Sequence, residues 1–230
     1  MTFIVISSMN NAPKIHLSTL ERELMQNKEW ILTKRSAIQK VYELFGDMHN
    51  VYKGICISSQ FSIPGFADNN AVKISKGENY EGLPYVMMDY PASFSRENIF
   101  AIRTMFWWGN FFSVSLHLSR EKFRLSGDFG RPLSYLKEKD FFICIHENQW
   151  QHNFEASNYS SVSSLDNKKI YEILEKDFFK ISKKIELNEW DNVPGFLEKT
   201  FKEIIEFVKI SFPGDEKDPL PEFPKDGSDL

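Results

Sequence analysis

At 230 residues, 42% apolar and 15% aromatic, the chain carries enough hydrophobic side chain to build a sizeable core. A net charge of −4 and a pI near 5.8 lack the basic footprint of a general nucleic-acid binder, and no stretch approaches the roughly 20 consecutive apolar residues of a membrane span. The first residues, from Met1 to Ser7, have neither the basic start nor the apolar length of a secretory leader, so the expectation is a cytoplasmic protein with no nucleic-acid and no membrane partner.

Residues 3–8 read as a short strand or an ordered arm. Ser18 and Glu21 have capping-box spacing and precede an apolar stripe of Leu17, Leu20 and Leu24, which predicts a short helix over 18–28. A second helix over 33–52 follows from Ile38, Val41, Tyr42, Phe45, Met48 and Tyr52 at helical spacing, with Gly46 as a weak point. From Gly54 the period changes to two. Ile55, Ile57, Phe61 and Ile63 alternate with Cys56, Ser58, Gln60 and Ser62, which predicts a strand over 54–63.

The segment 66–82 is polar and reads as a surface excursion with a short strand at 72–75. Residues 83–90 form the next strand, with Pro84 at its start or on an edge because proline donates no ladder hydrogen bond. Two runs rich in β-branched and aromatic residues follow, 99–108 and 111–118, separated by Gly109-Asn110. That dipeptide is a two-residue hairpin signal. The register it implies sets Trp108 against Phe111, Met105 against Val114 and Arg103 against Leu116. A core face of Ile99, Ala101, Met105, Trp107, Phe112, Val114, Leu116 and Leu118 then contains one misplaced residue, Arg103. An unpaired buried guanidinium is costly, so Arg103 calls for a carboxylate, such as a glutamate of the C-terminal helices, a cluster of carbonyls or a ligand anion.

Residues 119–140 contain turn signals and a helical turn near 134–139. The basic side chains there, from Arg120 to Lys139, are diluted by Glu121, Asp128 and Glu138. A strand over 141–148 alternates Phe141, Ile143 and Ile145 with Phe142, Cys144 and His146. Residues 149–164 are a long serine-rich and asparagine-rich loop. Asp166 caps a helix whose face runs through Ile170, Leu174, Phe178, Ile181 and Ile185, and Asn192 with Pro194 opens a last helix carrying Leu197, Phe201, Ile204, Ile205 and Val208. A proline-rich acidic tail over 212–230 has a disordered composition. The reading is one α+β domain over 1–211, a mainly antiparallel β-meander with N- and C-terminal helices packed on one face.

The chemistry concentrates on the second face of the hairpin. Parity places Thr104, Phe106, Trp108, Phe111, Ser113, Ser115 and His117 there, and His146 and Cys144 join them if 141–148 aligns; Asp89 reaches the same face in one of its two parities. An aromatic lining with a few convergent polar groups suits a small-molecule pocket. The leading expectation is a non-enzymatic domain that binds a small apolar or anionic ligand, a protein partner or a second copy of itself through this face. The alternative is a small-molecule hydrolase or metal-dependent enzyme working from His117 and His146 beside Asp89. Cys56 and Cys144 fit no metal or redox spacing and read as buried hydrophobes, and no motif names a cofactor.

Overall fold

The computed structural model describes residues 15–63, 72–94, 99–119 and 129–212. The readings at 3–8 and beyond 212 lie outside these residues. The chain divides into two units at the Lys40–Val41 junction. The N-terminal unit holds helix α1 (Thr19–Gln26) and the first turns of α2 (Lys28–Ser58). Its capping box forms as the spacing predicts: Ser18 N donates to the Glu21 carboxylate at 2.6 Å, and Glu21 N donates back to Ser18 Oγ at 3.2 Å. No residue of α1 is buried, and Leu17, Leu20, Leu24, Met25, Trp30, Ile31 and Leu32 are all exposed.

The second unit is built on an antiparallel sheet. Its strands are β1 (Lys73–Tyr80), β2 (Leu83–Phe94), β3 (Ile99–Trp107), β4 (Phe111–Ser119), β5 (Phe142–Cys144), β6 (Tyr159–Ser161) and β7 (Phe178–Glu186), in the spatial order β1-β2-β3-β4-β7-β5-β6. The first four form a meander, and the fold is α+β as expected, with β1 taking the place foreseen for residues 54–63. One face is the main core. Phe100, Ile102, Thr104 and Phe106 of β3 lie on it beside Phe112, Val114, Leu116 and Leu118 of β4, all buried. Helix α2 from Val41 onward and α5 (Val193–Ser211) cover it, and α3 (Gly130–Glu138) packs against α5. Phe45 meets Phe112 edge-on at 6.3 Å, Tyr52 stacks on Phe201 at 3.8 Å, and Phe179 stacks on Phe207 at 5.8 Å. Each such side chain contributes roughly 1.5–3 kcal/mol by leaving water.

The strand expected over 141–148 shortens to β5, because residues 145–148 leave the sheet, and three further segments depart from the sequence pattern. The expected strand over 54–63 is instead the last turns of α2, because Val41, Phe45, Met48, Tyr52 and Cys56 continue one buried helical stripe while Ile57 is 68% exposed. The helix is closed just past its end by Gln60, whose φ of 50° puts it in the left-handed region; Phe61 N donates to Cys56 O and Gln60 N to Ile57 O, the paired bonds of a Schellman ending. The helix expected to run on from Asp166 divides into α4 (Asn167–Leu174), capped by Asp166 as anticipated, and β7. Phe178, Ile181 and Ile185 satisfy a helical stripe, but Phe178, Phe179, Lys180, Ile181 and Ser182 are buried in succession, as a central strand requires. The excursion at 66–82 contributes the full edge strand β1.

The hairpin itself turns through three residues, not two. Trp107 pairs with Phe111, Asn110 N donates to Trp107 O at 3.0 Å, and Gly109 takes the positive φ of 73°. The extra residue flips β4 relative to β3, so the two faces exchange members. Thr104 and Phe106 belong to the main core, where Thr104 Oγ1 is bonded to Tyr52 Oη at 3.2 Å. Arg103 leaves it for the opposite face. Its partner is Asp89 of β2, and the glutamate of the C-terminal helix, Glu203, pairs with Lys183 at 2.8 Å.

Candidate functional site

The opposite face carries the odd-numbered residues of β3 and β4 together with Phe178, Lys180, Ser182 and Lys184 of β7. Two apolar clusters flank it. Met87, Met105, Trp107 and Phe111 form one, Cys144, Tyr159 and Phe178 the other, and Phe154 packs against both. Between them runs a band of polar side chains from Asp89 through Arg103, Ser115, His117 and Ser182 to Lys180. The segment 145–158, which follows β5, closes over this band. Tyr80 pins it from β1, its hydroxyl accepting from His152 N at 2.7 Å and Asn153 N at 3.1 Å.

Arg103 and Asp89 form a bidentate pair, Nε to Oδ1 at 2.7 Å and Nη2 to Oδ2 at 3.0 Å, with side-chain exposures of 13% and 6%. The third guanidinium nitrogen, Nη1, lies 3.3 Å from His152 Nε2, and His152 Nδ1 lies 3.3 Å from Lys180 Nζ. Lys180 is 1% exposed and also donates to the carbonyl oxygens of Gln149, at 3.1 Å, and Gln151. His117 Nε2 meets Gln149 Oε1 at 2.7 Å, with Trp150 edge-on to the imidazole at 5.3 Å. Ser115 Oγ and Ser182 Oγ are 2.9 Å apart, and Ser182 donates on to Val114 O. The Tyr159 hydroxyl is buried beside them without a hydrogen bond of normal geometry.

Counting donors and acceptors favours one protonation pattern for this chain. Arginine only donates, so His152 Nε2 accepts and its single proton sits on Nδ1. That proton points at Lys180, whose nitrogen must then offer a lone pair. A neutral amine does so while its two hydrogens serve Gln149 O and Gln151 O, and every group is satisfied; an ammonium would set donor against donor. Burial acts in the same direction. It draws the Lys180 pKa down to about 7, with the Arg103 charge adding to the shift and Cys144 opposing it. Burial likewise brings His117 down to about 3, helped by Lys180 and Arg103 and opposed by the Gln149 bond. His152 falls well below the usual imidazole range for the same principal cause.

The expected site is therefore gathered in part and exchanged in part. Asp89, Ser115 and His117 meet on this face, Ser113 shares it opposite Met105 and Lys184, and Phe111 lies in its flanking cluster. Thr104 and Phe106 are on the other face, and Trp108 sits half-buried in the turn against Phe106. His146 turns away, its Nδ1 accepting from Asn148 N at 2.9 Å and its carbonyl from Lys176. The imidazole that enters the band is His152. Among the described residues no three His, Cys, Asp or Glu side chains group to hold a metal. A cleft of about 510 Å³ adjoins Gln149 and Phe178, but Glu147, Glu172, Glu175 and Asp177 against Lys169 and Lys176 make it a poor anion site.

Arg103 stands out in the sequence but on the other face, and His152 and Lys180 do not stand out at all, for separate reasons. The two-residue turn put Arg103 on the wrong face, and helical spacing hid Lys180; a run as rich in aromatic and β-branched residues as 178–185 was the available signal. Nothing local marks a loop histidine such as His152. Comparison with protein-family models, curated proteins and solved structures finds no match to this chain.

Proposed function

We propose that the protein binds a small anionic ligand on the polar band beneath the segment 145–158, without catalysing a reaction of its own through His117 and His146. One observation carries the reading: the amine of Lys180, Nη1 of Arg103 and Nε2 of His117 stand on the adjacent strands β7, β3 and β4, and their partners all come from residues 149–152. Displacing that one stretch presents three nitrogen groups together, and among the described residues the one carboxylate in the band, Asp89, is committed to Arg103. A carboxylate replacing the Gln149 and Gln151 carbonyl oxygens accepts the same hydrogen bonds and supplies a negative charge as well. The aromatic flanks of Phe111, Phe154 and Phe178 suit the apolar remainder of such a molecule.

The test is thermal unfolding against a panel of small mono- and dicarboxylates, with the amides of the same acids as uncharged controls. A ligand at a hundred times its dissociation constant adds about 2.7 kcal/mol to stability, so the acids raise the unfolding temperature and the amides do not. Arg103→Met, made together with Asp89→Leu to leave no orphan charge, abolishes the shift. A panel in which acids and amides behave alike rejects the reading.

A further inference from the structure

Among the described residues, every hydrogen-bond partner of the Lys180 nitrogen comes from one short stretch of chain: Gln149 O, Gln151 O and His152 Nδ1. The strand-borne groups around it hold their places through other partners. Arg103 stays on Asp89, and the Ser115–Ser182 pair is anchored on Val114 O. Among the described residues no carboxylate pairs with Lys180, and the donor count leaves its nitrogen with a lone pair that faces the His152 Nδ1 proton. We infer that Lys180 is a nucleophilic amine that captures the carbonyl carbon of a small oxo acid as a Schiff base. This inference rests on the anion-site reading and deepens it by naming the ligand class.

The register supports the placement. His117 lies directly opposite Lys180 in the β4–β7 pairing, and Arg103 lies opposite Ser115, one step along the same face. An oxo acid with its carboxylate on Arg103 Nη1 sets its carbonyl oxygen toward His117 Nε2–H and its carbonyl carbon toward Nζ. The lone pair of Nζ forms the C–N bond as the carbonyl π pair moves onto oxygen. That oxygen takes one proton, and the nitrogen loses one, giving a carbinolamine. Expulsion of the hydroxyl group then forms C=N. The two hydrogens of the amine and the carbonyl oxygen leave as one water, and nothing is oxidised or reduced. A buried amine titrating near 7 is about half unprotonated at neutral pH, roughly a thousandfold more than an ordinary lysine.

The experiment incubates the full chain with pyruvate at neutral pH, adds cyanoborohydride, and maps the modified lysines by peptide mass spectrometry; thermal unfolding with lactate, which has the carboxylate but no carbonyl, runs in parallel. The expected result is trapping at Lys180 at least tenfold above every other lysine, lost in Lys180→Met and in the Arg103→Met/Asp89→Leu double variant. Labelling that follows lysine exposure and misses Lys180, with a lactate shift present, overturns the covalent step and leaves the anion site standing. Labelling that misses Lys180 with no lactate shift removes both. Because the wild-type map decides the matter, a poorly folding Lys180→Met does not blunt the test.

Discussion

Lys180 couples the fold to pH, and the sign follows from its surroundings. With a folded pKa drawn down to about 7 by burial and an unfolded value near 10.4, the unfolded chain holds a proton that the folded chain lacks across the interval between them. Stability therefore rises with pH from about 7 upward, by up to about 1.4 kcal/mol per unit from this residue. The two depressed histidines act in an earlier window, adding stability as pH climbs to about 6.5. Cys56, Cys144 and the buried tyrosines, all raised by burial, oppose the trend above roughly pH 8.5, where unfolded thiols and then phenols begin to ionise first. Urea unfolding measured between pH 7 and 8.5 should show the rising slope in the wild type and a flatter line in Lys180→Met. Equal slopes in the two proteins would mean that Lys180 is charged in the fold, contrary to the donor count.

The hairpin shows how one residue decides a face. Gly109 is the residue whose positive φ of 73° lets the chain reverse after Trp107, and a Cβ there meets no atom within 4 Å. Gly109→Ala is thus a test of backbone cost alone, expected to lower stability by roughly 1–2 kcal/mol in chemical unfolding; a neutral result would contradict the left-handed turn. The existence and strand character of β2, β3 and β4 were legible because aromatic and β-branched runs between Gly, Pro and Asn punctuation have few other readings. The register was not, since two-residue and three-residue loops share the same Gly-Asn signal, and the difference moved Arg103 and Thr104 in opposite directions. Helix α2 and strand β7 were misjudged for a related reason. Ile55 and Ile57 alternate in a stretch that tertiary packing keeps helical, and Phe178, Ile181 and Ile185 fit a helical stripe in a stretch that the sheet claims. The candidate site inherits these errors: Asp89, Ser115 and His117 follow from strand parity, whereas Lys180 requires β7 to be a strand and His152 requires the path of a loop.

At the scale of the molecule, the two units differ in how they hold their apolar side chains. The unit from Val41 onward buries its aromatic residues on both sheet faces, while α1 buries none, although its stripe of Leu17, Leu20 and Leu24 is the pattern of a packed helix. Leu20→Lys and Leu24→Lys together should change the unfolding free energy by no more than about 0.5 kcal/mol, the range for exposed positions. A larger loss in chemical unfolding at low protein concentration would show that the stripe is packed in the monomer. Among the described residues no helix is long and apolar enough to cross a membrane.

The position of β7 has a consequence for the order in which the molecule is made. Ser115 and Ser182, bonded across the β4–β7 seam, are 67 residues apart in sequence, so the partner of β4 leaves the ribosome long after β4 does. Until then β1 to β4 form an open sheet with a bare edge at Phe111–Ser119 and with Phe112, Val114, Leu116 and Leu118 uncovered by α5. Closure over so long a loop is slow, and an unpaired apolar edge is a surface for pairing with other chains. The nascent chain is therefore most prone to aggregate during the interval before residues 178–186 arrive, when a holding chaperone would bind it best.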